Sequence, residues 1–415
     1  MRATLTRLLP PPGLVRALSA QSILFAVGEG TFLTGSAVFF TRIVGLSAAQ
    51  VGLGMTVAGV ISFLFAVPLG RLADRVGPQR MWWLGALVTA LLYLSWPLIT
   101  GFPAFLAMMV LLRLVDTGGS AGRGAYMLDV FSREERVRSL AFVRSALNIG
   151  FTLGALIGGL ALATGSNAVV RAVPLLAGAI LCLNAALITR LPSAEHADTS
   201  VAPAQVIPTG ALRNRGFLIL NVCLGTLMTN QVLLNTVIPL WLVQQTDAPR
   251  VLLAYLFGTN TVLAVLLQVP ASRGAETVPG ALRAARVSAA FFVISCVIVS
   301  VTHETIGWTT IALVWLGHVT VTGAELFQSA AQWGLVAELS DPSRRGEYQG
   351  ASRLGNTVGQ VWAPAAYTFL AIDGGTPGWL LIAAIAVAAA VGVSPAARAA
   401  ERFLQHDRAP GAAVG

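Results

Sequence analysis

The chain contains no lysine and little charge of any kind. Of its 415 residues, 11% are charged and 55% are hydrophobic, and the mean hydropathy is +0.75. Because soluble domains carry about 25% charged residues, a chain of this composition could not cover its surface in water. A disordered chain would be more polar and more charged. Three cysteines are too few for a disulfide scaffold, and the 42 glycines show no collagen-like triplet period.

Residues that build enzyme sites are also scarce. The four histidines and three cysteines are scattered along the chain, and no Walker loop is present. We therefore expect no enzymatic activity, no bound metal and no cofactor, and a membrane enzyme or sensor is the weakest alternative. The net charge of +9 comes from arginines. They form no basic stripe with interleaved aromatic residues, so we expect no binding to nucleic acid.

Long apolar segments account for most of the chain. A helix of roughly 20 residues spans a bilayer, and twelve apolar segments are candidates for such helices. They lie at roughly 17–41, 47–70, 81–100, 103–127, 139–163, 170–189, 216–243, 250–270, 287–302, 308–335, 350–371 and 377–394. The sequence therefore predicts an all-α polytopic membrane protein with twelve transmembrane helices.

A polar stretch at 191–210 divides these segments into two sets of six. The predicted organisation is a cytoplasmic N-terminal tail (1–16), an N-terminal six-helix bundle (17–190), a cytoplasmic central linker (191–212), a C-terminal six-helix bundle (213–395) and a cytoplasmic C-terminal tail (396–415). Arginines favour this orientation, because cytoplasmic loops collect basic residues. Of the 27, twenty fall on the inner side and three, Arg42, Arg171 and Arg250, in outer loops. We expect a multi-pass protein of the cell membrane with both termini in the cytoplasm.

The two halves resemble each other. VPLGRLADRVG begins at Val67 and VPASRGAETVP begins at Val269, so that Pro68 aligns with Pro270 and Arg71 with Arg273. Repeats spaced by half a chain are typical of transporters built from two related bundles. The sequence therefore predicts two six-helix bundles of parallel topology.

The loop between the second and third segments carries a recognisable motif, GRLADRVGPQR. It resembles the corresponding loop of the major facilitator superfamily, and the matching residues are Gly70, Arg71, Asp74, Arg75, Gly77 and Arg80. The resemblance covers the layout of the whole chain and is specific around this loop. It implies that Asp74, nearby arginines and Asp129 at the inner end of helix 4 latch the two bundles in an outward-facing state. The alternative is that these charges only set topology and solvate a loop.

Helix 5 carries a glycine pattern, with Gly150, Gly154, Gly158 and Gly159. It resembles the antiporter signature of the family's drug exporters, although Ala155 stands where that signature has proline and Ala141 where it has glycine. The resemblance implies drug/proton antiport. The alternative is generic close packing of helices through small residues.

Charged residues within the predicted spans mark candidate sites, because a charge at mid-bilayer costs at least about 2.5 kcal/mol. Glu29 lies at the centre of helix 1. Removal from water favours the neutral form of a carboxyl group, so Glu29 could exchange a proton near neutral pH or pair with a cationic substrate. Arg113 and Asp116 lie three residues apart on one face of helix 4, where they either tune a proton carrier or neutralise each other. A satisfied structural carboxyl is the alternative for Glu29.

Helix 10 has one polar stripe, formed by His318, Thr322, Glu325 and Gln332. Asn230 of helix 7 is a further polar residue within a predicted span and a candidate cavity residue. The alternative is hydrogen bonding between helices. Polar residues thus concentrate on helices 1, 4, 7 and 10, which the resemblance implies line the central cavity.

These features together predict a secondary transporter that works by alternating access. We expect proton-coupled efflux of a small drug-like or metabolite molecule, with the substrate, protons and the lipid bilayer as partners and a monomeric state. The alternative is proton-coupled or facilitative uptake on the same fold.

Overall fold

The computed structural model describes residues 10–193 and 210–407, which form twelve long helices with no β-strand among them. The first six are α1 (Leu14–Val38), α2 (Ala48–Val76), α3 (Pro78–Ser95), α4 (Gly101–Val130), α5 (Arg133–Ala163) and α6 (Asn167–Ile188). The second six are α7 (Arg215–Gln245, with an irregular turn inside it), α8 (Leu252–Ala271), α9 (Val278–Ser300), α10 (Trp308–Glu338), α11 (Arg345–Ile372) and α12 (Gly375–Asp407). The prediction of an all-α polytopic membrane protein is confirmed.

Ten of these helices are long and apolar enough to cross a membrane. The other two are α8 and α11. The apolar part of α8 is shorter and covers Tyr255–Ala271. In α11 the apolar residues are interrupted by polar ones, among them Gln349, Arg353 and Asn356. A helix of this kind exposes little apolar surface to lipid and suits a position that faces other helices.

Most of the predicted N-terminal tail and of the linker lies outside the described residues, as does the C-terminal tail beyond 407. Within the described part, α12 continues to Asp407, into the segment that the sequence assigns to the C-terminal tail. The reason is that an amphipathic helical pattern persists beyond the apolar segment. Arg398 and Arg402 are exposed, while Ala397, Ala400 and Leu404 are buried.

The helices form two compact units. The first unit comprises Met1–Ser132, Phe142–Ala204 and Pro342–Gly350, and the second comprises Arg133–Ala141, Gln205–Asp341 and Ala351–Gly415. Two short segments are grouped apart from their neighbours in the chain. The first turns of α5 belong to the second unit, and the first turns of α11 belong to the first unit.

The same packing pattern appears in both units. In the first, α1 packs on α6, α6 on α3, α3 on α4 and α4 on α2. In the second, α7 packs on α12, α12 on α9, α9 on α10 and α10 on α8. Each pair of the second unit is the corresponding pair of the first with six added to both numbers. The repeat that the sequence suggested is therefore a repeat of helix packing.

Candidate functional site

A cavity of about 470 Å³ lies within the first unit. This volume falls in the range of roughly 300–1,000 Å³ that is typical of small-molecule sites. The wall is mainly apolar and includes seven aromatic residues, namely Phe25, Phe32, Phe40, Trp82, Tyr93, Trp96 and Phe151. The polar groups that line it include Gln21, Glu29, Arg113, Asp116, Ser120, Arg123 and Asn184. Few polar groups on an apolar wall are what orients a bound small molecule.

Glu29 is the acidic residue that α1 contributes to this cavity. Its carboxylate Oε2 accepts a hydrogen bond of 2.9 Å from the hydroxyl of Tyr93 on α3. Asp116 and Arg113 of α4 lie close enough to interact electrostatically with it. The surroundings of Glu29 therefore include a hydrogen-bond donor, Tyr93, a group of the same charge, Asp116, and a group of opposite charge, Arg113.

Two flanking glycines explain why Glu29 points into the cavity. A Cβ atom at Gly28 would lie 3.0 Å from the Leu181 side chain of α6, and one at Gly30 would lie 3.0 Å from the backbone oxygen of Phe151 of α5. These two positions thus pack against neighbouring helices. The residue between them projects from a different side of α1, and that side faces the cavity.

The predicted pair on α4 reaches the same cavity. Arg113 and Asp116 both line it, and the Ser120 hydroxyl donates a hydrogen bond of 3.2 Å to Oδ1 of Asp116. Three of the predicted cavity residues, Glu29, Arg113 and Asp116, are therefore brought together in the first unit.

Arg123 lines the same cavity, seven residues beyond Asp116 on α4. Its Nη2 donates a hydrogen bond of 2.9 Å to the Ser22 hydroxyl of α1. Its guanidinium carbon lies 6.0 Å from the centre of the Phe25 ring and 5.8 Å from that of Trp82. The sequence did not predict this residue as part of the site.

The other predicted cavity residues lie in the second unit. His318 of α10 is fully buried, with its ring 6.4 Å from that of Phe257 and at a steep angle to it. Glu325 lies two turns further along α10, and its Oε2 accepts a hydrogen bond of 3.1 Å from Nδ2 of Asn260 on α8. The same Asn260 amide donates to the Thr322 hydroxyl at 3.1 Å.

Two further polar residues of the second unit, Asn230 and Gln332, form hydrogen bonds through their side-chain amides. The Asn230 amide donates to the backbone oxygen of Leu227 at 2.9 Å, within its own turn of α7. Gln332 donates to Oδ1 of Asn356 on α11 at 3.0 Å. The Gln332 contact is of the interhelical kind that the sequence left open as the alternative, whereas the Asn230 contact lies within one helix.

The loop motif sits at the end of α2, where it contacts the first turn of α11. Oδ1 of Asp74 accepts a hydrogen bond of 2.6 Å from the backbone N–H of Gly346, and Oδ2 accepts one of 2.9 Å from that of Glu347. An acidic side chain is favoured at a helix N-terminus, where N–H groups lack intrahelical partners. Nη2 of Arg71 donates to Oε1 of Glu347 at 3.0 Å. A Cβ on Gly70 would overlap the backbone of Gly346, so the backbones of α2 and α11 are in direct contact at this point.

The other predicted residues of the loop motif, and one comparable ion pair of the second unit, have different surroundings. Asp129, at the end of α4, forms an ion pair with Arg345. Gly77 has φ +98°, which favours glycine and allows the tight connection between α2 and α3. Arg75 and Arg80 are exposed. In the second unit, Nε of Arg133 donates to Oε1 of Glu338 at 3.0 Å.

Replacing Asp74 by alanine is expected to loosen the first turn of α11. The change leaves two backbone N–H groups without their charged acceptor, and a hydrogen bond to a charged group contributes about 1.5–3 kcal/mol. We expect hydrogen exchange at Gly346 and Glu347 to accelerate by roughly 10- to 100-fold. The measurement is hydrogen exchange followed by mass spectrometry, with the exposed Asp373→Ala as the matched control. Equal exchange in both variants would show that the cap contributes nothing.

The glycine pattern of α5 packs against α1. Cβ atoms built at Gly150, Gly154 and Gly158 would lie 2.5, 2.6 and 2.5 Å from backbone oxygens of α1. A Cβ built at Gly159 meets no atom of another described segment within 4 Å. Three of the four glycines thus form a stripe, at every fourth residue, on which the backbone of the Glu29 helix rests.

Comparisons with known proteins agree on one family. The sequence profile of the Major Facilitator Superfamily matches residues 18–364. YdeE of Escherichia coli (strain K12), an uncharacterised transporter of MFS type, is 25% identical over 138 residues, which are 33% of this chain and 35% of that protein. The aligned stretch thus spans only about a third of that relative.

Solved structures of similar fold cover nearly the whole chain. A bacterial homologue of the iron transporter ferroportin has a TM-score of 0.71 at 14% identity, over 94% of this chain and 99% of its own. The transporter FucP of E. coli has 0.69 at 15%, over 93% and 98%. Human MFSD10, an organic anion transporter, has 0.67 at 16%, over 92% and 100%. At these identities the likeness shows the fold. Together with the profile match over most of the sequence, it establishes that this multi-pass membrane protein belongs to the major facilitator superfamily of transporters.

Proposed function

We propose that the protein is a secondary transporter that exports a small molecule in exchange for protons, by alternating access. We further propose that it acts as a monomer in the cell membrane with both termini in the cytoplasm. The observation that carries the proposal is the Glu29 carboxylate. It lies near the middle of the span Leu14–Ile43, lines a cavity of small-molecule size, and accepts a hydrogen bond from Tyr93.

The surroundings of Glu29 support a proton-carrying role. A carboxyl group in a membrane span can change its charge by taking up or releasing one proton, and carboxyl groups in such positions mark proton pathways. The charges that face it are those of Asp116 and Arg113, and Tyr93 is a hydrogen-bond donor. Protonation would remove one negative charge from the cavity. A substrate that binds the two charge states unequally is then coupled to the proton.

The direction of transport rests on α5. Its glycine stripe resembles the antiporter signature of the family's drug exporters and packs on the helix that carries Glu29. The helix with the exporter-like glycine pattern is therefore in direct contact with the helix that carries the proposed proton-carrying residue, Glu29. The second candidate is uptake by proton symport, favoured by the likeness in fold to the fucose:proton symporter FucP and the proton:xylose symporter XylE.

Everted membrane vesicles with an acidified lumen distinguish these two functions. The panel consists of lipophilic cations, neutral antibiotics, sugars and aromatic carboxylates, and the readout is lumenal pH. Antiport predicts that a substrate added outside drives protons out of the lumen. Symport predicts that protons enter together with the substrate. Vesicles from cells that lack the protein are the control, and the absence of proton movement with every compound would contradict proton coupling.

A further inference from the structure

Arg123 is a cation in the cavity that has no anionic partner within residues 10–193 and 210–407. Its bonds within the described residues are to the Ser22 hydroxyl and to the faces of two rings, Phe25 and Trp82. Its Nε is buried and has no hydrogen-bond partner in the described part of the chain. No carboxylate among the described residues forms an ion pair with it, and the nearby Arg144 adds charge of the same sign. Buried charges in proteins are normally paired, because burying an unpaired one is costly.

The arginine is nevertheless held firmly in place. Gly122, the residue before it, lies against α3, where a Cβ would come within 2.7 Å of the Pro78 carbonyl oxygen. On α1, the Ser22 hydroxyl that accepts from Arg123 lies beside Gln21, which in turn donates to Oδ1 of Asn184 at 2.7 Å. A guanidinium that contacts three side chains and keeps N–H groups free within the described residues is suited to bind an anion through two parallel hydrogen bonds.

The Arg123 end of the cavity is separate from the Glu29 end. Ser22 and Glu29 are seven residues apart on α1, and Arg123 and Asp116 are seven residues apart on α4. Seven residues are two helical turns and about 10 Å. Both helices therefore place an acidic side chain at one level of the cavity and the Arg123 contact at the other.

We infer that Arg123 binds an anionic group of the transported molecule, so that the substrate is an aromatic carboxylate. This inference rests on the proposed function, since it names the chemical class of the molecule that the cavity would carry. The carboxylate takes the place of the missing counter-ion and pairs with the guanidinium. The apolar body lies against the aromatic wall that Phe25 and Trp82 begin. The Phe25 and Trp82 rings near the guanidinium stabilise its charge through cation–π contacts.

The test uses three probes with one skeleton, namely naphthoate, naphthylmethylamine and naphthalenemethanol. A ligand that binds the folded state raises the melting temperature. Each probe is added to the purified full-length protein in detergent, and both the shift in melting temperature and the affinity from calorimetry are recorded. We expect naphthoate to bind most tightly, and Arg123→Met to weaken it by roughly 10- to 100-fold. Arg123→Lys, which keeps the charge and loses the fork, should fall between the two.

The control is Arg171→Met, which removes the same charge from an exposed position and should leave naphthoate binding unchanged. A second readout is the melting temperature without ligand. Removing an unpaired buried charge should raise it in Arg123→Met, whereas a structural arginine with satisfied contacts would lower it. Equal binding of naphthoate by wild type and Arg123→Met, preference for the amine, or no binding of naphthoate up to about 5 mM would overturn the inference.

These outcomes are independent of proton coupling, because binding is measured without a gradient. Arg123-dependent binding of naphthoate with no proton movement in vesicles would reject the proposed function and keep the anion site. Proton movement that depends on Glu29, with no role of Arg123 in binding, would reject the anion site and keep the proposed function.

Discussion

Replacing Glu29 by glutamine is expected to abolish substrate-driven proton release. Glutamine keeps the size and the hydrogen-bond acceptor that Tyr93 uses, but it has no proton to exchange. If Glu29 carries the coupled proton, the initial rate of release in vesicles should fall by at least about tenfold, while substrate binding to the purified protein persists. Loss of binding together with loss of proton release would instead indicate a structural role.

Two further variants separate proton carriage from hydrogen bonding. Tyr93→Phe removes the hydroxyl that donates to Oε2 of Glu29 and leaves the carboxyl itself in place. It should shift the pH dependence of transport without abolishing it, because the proton-carrying group remains. Glu135→Gln makes the same chemical change as Glu29→Gln at an exposed position in the first turn of α5, and it should transport normally. Wild-type proton release by Glu29→Gln would remove the basis of the proposed coupling.

Alanine at Gly158 is expected to destabilise the first unit, whereas alanine at the next residue is not. A Cβ at Gly158 would lie 2.5 Å from the backbone oxygen of Thr31 and 3.1 Å from the Cβ of Thr34, so α1 would have to move. Overpacking costs typically about 1–3 kcal/mol. Since each kcal/mol shifts the melting temperature of a 150–250-residue domain by roughly 2–4 °C, we expect a fall of about 5 °C.

Gly159 provides a matched control one residue away. Apart from the nearby backbone of α5 itself, no atom of the described residues lies within 4 Å of a Cβ built there, and alanine favours a helix over glycine by about 0.8–1.0 kcal/mol. Gly159→Ala should therefore leave the melting temperature unchanged or raise it. Because α1 carries Glu29, Gly158→Ala should also reduce proton release in vesicles. Equal melting temperatures for the two variants would mean that α1 adapts to the added methyl group, and the glycine stripe would then have no packing role.

The glycine stripe illustrates how far a local pattern can lead. Small residues four apart left close helix packing open as the alternative to an antiporter signature, and three of the four glycines of α5 pack against α1. The sequence could not tell that Gly159 points elsewhere, because neighbouring residues on a helix differ in direction by about 100° and the partner helix is set by tertiary packing.

The sequence did not predict the hydrogen-bond partners that neighbouring helices supply to Glu29 and Glu325. Tyr93 and Asn260 look like ordinary members of apolar segments, yet they are the residues that donate to Glu29 and Glu325. Arg123 could have been found, since a charge in a span seven residues after Asp116 lies on the same helix face. The sequence placed it only among the four arginines that lie within or at the ends of spans.

The sequence by itself determined the membrane class, the number of long helices, the repeated halves and the family. These follow from local quantities, namely the length of apolar segments, the spacing of arginines and the loop motif between α2 and α3. The tertiary structure decided which charges meet. It brought Glu29, Arg113 and Asp116 to one cavity with Arg123, and it left Asn230, His318 and Glu325 in the second unit. The hydropathy of a segment determines which of its residues lie within the bilayer. The rotation of each helix about its axis is set by packing against its neighbours.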